Sequence, residues 1–324
     1  MAVWFNLVLL LVFAVLLVYT GSWLVKILSK LAEYLKITEF AIGFILMAVA
    51  TSVPELFVGI TSGIAKNTAL SLGNVIGSNI ANLTVVAGIV ILMMRKGINV
   101  ETDKAEKDSV WMFLLTLVPM VLMLLGKQIS RIDGAILVAL FGIYMVKVVR
   151  RSRAFRKEYK EERELRRRKW VVIYSMLFIL CFIILYYSSK YIVYFATELS
   201  FDLNLKPIVI GLFLIAIGTS LPELVFSSRA AITGHSEMAI SNLIGSVIMN
   251  STLVLGVTAL IYPISSDFFL FLSSGIFMLI ICLLFAVFVE KGKKLKWKEG
   301  VVLVLLYAFF LIMELFIKNG KSIL

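Results

Sequence analysis

Ten apolar segments separated by short polar connections constrain the fold of this chain more strongly than any other feature. A helix needs about 20 apolar residues to cross the hydrocarbon core of a bilayer. Only 16% of the residues are charged, whereas about a quarter are charged in a typical soluble domain. We predict an all-α membrane protein with ten transmembrane helices, near residues 4–25, 39–64, 69–94, 109–126, 130–149, 170–189, 207–233, 237–262, 267–289 and 299–317.

Positive charge is concentrated between the fifth and sixth segments. The net charge is +12, and eleven Lys and Arg residues fall in one block at 150–169. Cytoplasmic loops are enriched in Lys and Arg, so this block indicates such a loop and argues against nucleic-acid binding. With the loop inside, 25 of the 32 basic residues are cytoplasmic and both termini lie outside.

The composition also argues against cysteine and histidine chemistry. Cys181 and Cys282 lie within apolar segments, where we expect them to pack as small core residues. His235, the single histidine, falls in the connection between the seventh and eighth spans. The apolar stretch that begins at Met1 lacks a basic region and a clear cleavage site, so we interpret it as a first membrane span and not as a signal peptide.

The two halves of the chain repeat each other at a constant offset of 168 residues. TSVPEL at 51–56 recurs as TSLPEL at 219–224, and NVIGSNIAN at 74–82 recurs as NLIGSVIMN at 242–250. Five spans per half is an odd number, so the second half enters the membrane in the opposite sense, which is an inverted-repeat plan of secondary transporters. We divide the chain into a first five-helix repeat at 1–149, a basic cytoplasmic loop at 150–169, and a second, inverted five-helix repeat at 170–324.

A proline interrupts the first motif of each repeat. Pro54 has no N–H to donate to the carbonyl of Ala50, and it also loosens the hydrogen bond of Thr51; Pro222 acts in the same way in the second repeat. A freed carbonyl is costly in lipid unless something satisfies it, and a cation can do so. We predict that helices 2, 3, 7 and 8 are broken.

Glu55 and Glu223 follow these prolines near the middle of their spans. A carboxylate at this depth costs several kcal/mol on insertion scales and usually marks an ion path. A lone buried glutamate can instead be a satisfied structural group. Its duplication in register argues against that reading, because both repeats would have to retain an expensive group without using it.

The second motif adds neutral oxygens. Ser78 and Asn82 share one helix face at a spacing of four residues, and Ser246 and Asn250 repeat this arrangement. Such a set of carboxylate, hydroxyl, amide and carbonyl oxygens suits hard cations such as Ca²⁺ and Na⁺. One turn earlier lie Asn74 and Asn242, which either bind cations or only bridge broken helices.

With these motifs in view, the chain resembles the cation/Ca²⁺ exchanger superfamily, and most closely the prokaryotic Na⁺/Ca²⁺ exchangers. The resemblance is carried by ATSVPEL with GNVIGSNIAN and by GTSLPEL with SNLIGSVIMN. It implies alternating-access antiport, with four cation sites lined by spans 2, 3, 7 and 8 and with spans 1 and 6 sliding across them.

The resemblance also implies a role for each site residue. Glu55 and Glu223 are the implied central ligands. Other implied metal ligands are backbone carbonyls of Thr51 and Thr219, sodium-site oxygens of Ser52, Ser78, Ser220 and Ser246, amides of Asn82 and Asn250, and, as weaker candidates, Ala48, Ala216, Asn74 and Asn242.

One position departs from the family pattern. The exchangers that this chain resembles most often carry aspartate where it has Asn250, so the site has one potential negative charge fewer. A neutral asparagine imitates a protonated aspartate. The coupling ion and the stoichiometry therefore stay open.

We expect a secondary active antiporter that exchanges Ca²⁺ for Na⁺, in the plasma membrane, functional as a monomer and without a cofactor besides the transported ions. The alternative is a Ca²⁺/H⁺ or K⁺-dependent Na⁺/Ca²⁺ antiporter of the same superfamily, because buried paired carboxylates titrate readily. An intramembrane hydrolase is not expected, since the chain has no HExxH motif and no catalytic pair of aspartates among its spans.

Overall fold

The computed structural model describes residues 3–34, 47–94, 97–99, 103–152, 164–292 and 294–320, and these residues are almost entirely helical. The α-helices are α1 (Val3–Tyr34), α2 (Met47–Thr51), α3 (Val53–Ile64), α4 (Thr68–Ala81), α5 (Ala87–Met93), α6 (Asp103–Gly126), α7 (Arg131–Ser152), α8 (Glu164–Asp202), α9 (Pro207–Ile210), α10 (Ala216–Thr219), α11 (Leu221–Ile232), α12 (Ser236–Met249), α13 (Leu255–Ile261), α14 (Phe268–Gly292) and α15 (Trp297–Gly320). Three π-helical segments, Asn82–Val86, Gly211–Ile215 and Asn250–Val254, continue the α-helices on either side of them. Two short strands, β1 (Ile98–Asn99) and β2 (Lys294–Leu295), pair antiparallel.

Long apolar helices confirm the prediction of an all-α, multi-pass membrane protein. Among the described residues, seven helices are long and apolar enough to cross a membrane, and α3 is a shorter apolar helix. The seven are Val3–Leu24, Thr68–Met93, Ala105–Gly126, Trp170–Asp202, Pro207–Ile232, Ser236–Ile261 and Phe268–Glu290.

The predicted boundaries differ most from the observed helices in three places. The first predicted span, 4–25, is part of the longer α1, which has 32 residues. The sixth predicted span, 170–189, is part of the longer α8, which has 39 residues. Both ends of the predicted loop at 150–169 are helical, because α7 continues to Ser152 and α8 begins at Glu164. The middle of this loop, and the start of the predicted second span at 39, lie outside the described residues.

Helix breaks occur at both prolines, as the sequence predicts. The helix α2 ends at Thr51 and α3 begins at Val53; the second repeat matches, since α10 ends at Thr219 and α11 begins at Leu221. The prediction that spans 3 and 8 are also broken is wrong. These spans contain no proline, and each keeps a continuous helix that passes through a π-helical segment. In that segment the backbone hydrogen bonds span five residues instead of four, and the helix is not interrupted.

Close backbone contact joins α4 to the helix that precedes the second break. A Cβ atom added at Gly73 would lie 2.0 Å from the carbonyl oxygen of Ile208, and one added at Gly77 would lie 2.2 Å from that of Leu212. Glycine is therefore required where these helices cross. The crossing brings the polar face of α4, including Ser78, against the break at Thr219.

We expect Gly73→Ala to destabilise the protein by about 1–3 kcal/mol, because the added methyl group forces the two helices apart. The matched control is Gly142→Ala on α7, where an added Cβ meets nothing within 4 Å. The control is expected to be neutral or slightly stabilising, since alanine favours helix more than glycine does. Thermal unfolding of both variants in detergent checks this, and equal midpoints would contradict the close crossing.

Candidate functional site

The two helix breaks have matching backbone geometry. Ser52 and Ser220 each occupy the single position between helices, with φ and ψ of −88° and 7° in the first and −82° and −2° in the second. The carbonyl of each serine accepts a 3.1 Å hydrogen bond from the backbone N–H four residues later. Each break thus places a threonine, a serine and, one turn on, a glutamate at the same relative positions.

Hydroxyl groups pair across the two repeats on one side of the site. Thr51 Oγ1, from the first break, lies 3.3 Å from Ser246 Oγ and 3.4 Å from Asn242 Oδ1, both on α12. All three side chains are at most 1% exposed. The first repeat is therefore joined to the second by polar groups that the sequence motifs contain.

The same arrangement recurs on the other side. Thr219 Oγ1, from the second break, lies 3.1 Å from Ser78 Oγ and 3.1 Å from Asn74 Oδ1, both on α4. The offset of 168 residues converts each contact of Thr51 into the corresponding contact of Thr219. The repeated motifs thus form one continuous polar site with two matching halves.

Two carboxylates lie within this polar site. Glu55 and Glu223 are fully buried, and two ionised carboxylates in one buried site of low dielectric constant repel each other. The hydroxyls of Ser78 and Thr219 flank Glu55 without donating a well-formed hydrogen bond to it. Ser52 Oγ donates to Glu223 Oε1 at 3.2 Å.

Three of the four carboxylate oxygens have no well-formed hydrogen bond to any described residue, namely Glu55 Oε1, Glu55 Oε2 and Glu223 Oε2. Buried carboxylates are normally paired or bound to a metal, because an isolated buried charge is costly. The oxygens and their charge therefore suit a cation.

The carbonyl of Ala216 also faces this site. It accepts a hydrogen bond from the backbone N–H of Ser220 at 3.1 Å, and the hydroxyls of Thr219 and Ser78 lie 3.4 and 3.5 Å away. Its counterpart, Ala48, lies in α2, three residues before Thr51. The structure thus brings Ala216 into the cluster that the sequence predicts.

Asn82 and Asn250 each begin a π-helical segment, one turn beyond Ser78 and Ser246. Both side chains are fully buried, and neither amide has a hydrogen-bond partner among the described residues. The buried hydroxyl of Ser220 also has no hydrogen-bond partner among the described residues. No contact joins either asparagine to the carboxylates in the described part of the chain, so their role as ligands stays a prediction.

The donor set consists of oxygens. The described residues contain no group of three or more His, Cys, Asp or Glu side chains that could hold a metal ion. Besides the two carboxylates, the site offers hydroxyl, amide and backbone carbonyl oxygens. Ca²⁺ takes six to eight such oxygens, and it accepts flexible coordination geometry.

Two buried residues near the site were missed by the sequence analysis. Ser227 Oγ accepts a 3.2 Å hydrogen bond from Asn242 Nδ2, and Asn79 Nδ2 donates a 2.8 Å hydrogen bond to Ser251 Oγ. Comparison of the repeats selects only residues that both halves share. Position 59, the counterpart of Ser227, is glycine, so that comparison gives no signal for it.

A helical membrane protein with paired buried carboxylates among neutral oxygens belongs to the class of cation transporters. The chain is a member of the sodium/calcium exchanger protein family, whose profile matches residues 5–150 and 173–316. This match confirms the prediction that was made from the two repeated motifs.

Individual relatives agree with this membership. The sodium/calcium exchanger MaX1 of Methanosarcina acetivorans is 28% identical over 96% of this chain and 99% of its own length. A putative antiporter, CaxA, of Alkalimonas amylolytica is 31% identical over 77% of this chain and 78% of its own length. A solved structure of the sodium-calcium exchanger NCX_Mj, soaked with 2.5 mM Na⁺ and 1 mM Sr²⁺, has a TM-score of 0.67 at 27% identity, covering 95% of this chain and 97% of that one.

We expect Glu55→Gln to abolish high-affinity Ca²⁺ binding, because it removes one of the two buried negative charges of the candidate site while preserving the shape of the side chain. The matched control is Glu314→Gln, which changes another carboxylate that is 1% exposed, on α15, where it accepts hydrogen bonds from Ser273 and Ser274. Titration calorimetry on the purified proteins checks this. Unchanged Ca²⁺ binding in Glu55→Gln would contradict the assignment of the site.

Proposed function

We propose that this protein is a secondary active antiporter that exchanges Ca²⁺ for Na⁺ across the membrane by alternating access. The observation that carries the proposal is the pair Glu55 and Glu223, one from each repeat, buried together among matching hydroxyl and amide groups. Membership of the sodium/calcium exchanger family supports it.

Shared ligands give a physical basis for exchange. Two carboxylates neutralise one Ca²⁺, or they hold Na⁺ ions at the same oxygens. Because the oxygens are shared, the two kinds of ion compete, and a protein that changes conformation only when loaded then couples their movements. Relatives named as sodium/calcium exchangers support Na⁺ rather than H⁺ as the counter-ion.

In the proposed site, Glu55 and Glu223 are the central ligands. Backbone carbonyls of Thr51 and Thr219, with the weaker candidates Ala48 and Ala216, supply further oxygens. The remaining ligands are Ser52, Ser78, Asn82, Ser220, Ser246 and Asn250, together with the weaker candidates Asn74 and Asn242.

The proposed topology has ten spans in two inverted five-helix repeats. It adds three to the seven long apolar helices: the α2–α3 pair, α7 and α15, the last two having 22 and 24 residues. At about 1.5 Å per residue, 22 residues extend about 33 Å, enough to cross a bilayer. The recurrence of the helix breaks and of the π-helical segments at 82 and 250 supports the repeat.

Charge distribution supports the proposed orientation. In the plasma membrane, the positive-inside rule puts the basic segment at 150–169 in the cytoplasm and both termini outside. We further propose that a monomer is sufficient for transport, because both carboxylates and both sets of hydroxyls come from one chain.

Ion flux tests the function directly. Proteoliposomes loaded with Na⁺ and diluted into Na⁺-free buffer should take up ⁴⁵Ca²⁺, because outward movement of Na⁺ drives inward movement of Ca²⁺. The same vesicles without a Na⁺ gradient, and with a K⁺ or a pH gradient in its place, are the controls. Ca²⁺ uptake that does not depend on the Na⁺ gradient would contradict the proposal. Ca²⁺ uptake driven by the pH gradient alone would identify Ca²⁺/H⁺ exchange.

A further inference from the structure

A buried asparagine on α4 is not among the proposed cation ligands. Asn79 is fully buried, and its Nδ2 donates a 2.8 Å hydrogen bond to Ser251 Oγ, in the π-helical segment Asn250–Val254. Ser251 Oγ also lies 3.3 Å from Thr116 Oγ1 on α6. One serine thus joins the π-helical segment to two helices.

This polar link is present on only one side of the molecule. The offset of 168 residues maps Asn79 onto Val247 and Ser251 onto Leu83. Both counterparts are fully buried and apolar. Because valine and leucine fill the equivalent positions, packing does not require polar groups here, and burying polar groups is costly. The link therefore has a role besides filling space.

The position of Ser251 indicates that role. It directly follows Asn250, whose buried amide has no hydrogen-bond partner among the described residues. Residues of one helical turn rotate together about the helix axis, so a hydrogen bond that holds Ser251 also restrains the direction in which the Cα–Cβ bond of Asn250 points. In the first repeat, Asn82 is followed by Leu83, which has no polar group with which to form such a bond.

We propose that Asn79 is a positioning residue for Asn250. Acting through Ser251, it directs the Asn250 amide oxygen toward the cation bound by Glu55 and Glu223. A ligand that is held in its binding orientation before the cation arrives loses less conformational freedom on binding, so the link raises Ca²⁺ affinity. This inference rests on the proposed function, because it takes Asn250 as a cation ligand.

The repeat itself supplies the test variant. The double substitution Asn79→Val with Ser251→Leu introduces the residue types that Val247 and Leu83 have at the counterpart positions. Asn79→Leu is a second variant, which removes the amide and leaves Ser251 in place. We expect both to unfold at temperatures close to the parent's in the absence of Ca²⁺. We expect their half-saturating Ca²⁺ concentration, measured by calorimetry without Na⁺, to rise about tenfold, equivalent to about 1.4 kcal/mol.

Asn6→Leu is the matched control. Asn6 is also fully buried and donates a 2.7 Å hydrogen bond, to Asp202, but it lies on α1, outside the proposed site. Its replacement is expected to change the unfolding temperature and to leave the half-saturating Ca²⁺ concentration at the parent's value.

Two outcomes would overturn the positioning role while the proposed function stands. The first is a wild-type protein that exchanges Na⁺ for Ca²⁺ while both Asn79 variants keep its half-saturating Ca²⁺ concentration; a lower unfolding temperature in those variants would then indicate a structural role only. The second is an equal rise of the half-saturating Ca²⁺ concentration in the Asn6→Leu control. A parent without Na⁺-dependent exchange would instead refute the proposed function itself.

Discussion

The repulsion between two buried carboxylates is the constraint on which the rest of this structure depends. Glu55 and Glu223 come from different repeats and are both fully buried. Like charges in a medium of low dielectric constant repel strongly unless a cation or a proton neutralises them. The neutral groups around the pair follow from this constraint, since hydroxyl, amide and carbonyl oxygens complete the coordination of a cation without adding further negative charge.

The helix breaks and the helix crossing place those neutral groups. Each proline lies in the first turn of the helix that follows a break, next to its glutamate. Each break presents a threonine whose hydroxyl contacts a serine of the other repeat. Contact between Thr219 and Ser78 requires α4 to approach the second break closely, and Gly73 and Gly77 make that approach sterically possible. The positions of the oxygen donors therefore depend on the backbone geometry of the breaks and of the helix crossing.

The helical fold and the clustering of the two repeated motifs could be predicted from the sequence, because a repeated motif identifies paired residues without knowledge of their distances; the contacts of Thr51 with Ser246 and of Thr219 with Ser78 are such pairs. The breaks at Pro54 and Pro222 were predictable from the chemistry of proline. The π-helical segments that begin at Asn82 and Asn250 were not, since no residue there lacks an N–H. Asn79 was missed because Val247 replaces it in the second repeat, so comparison of the repeats cannot detect it.

The central claim is that Ca²⁺ and Na⁺ use the same buried carboxylates. Equilibrium binding of ⁴⁵Ca²⁺ to the purified protein, repeated at increasing Na⁺ concentrations, tests it most directly. The account predicts competition: Na⁺ raises the half-saturating Ca²⁺ concentration and leaves the maximum amount of bound Ca²⁺ unchanged. A maximum that falls with Na⁺ at constant half-saturation, or Ca²⁺ binding that does not respond to Na⁺, would contradict it.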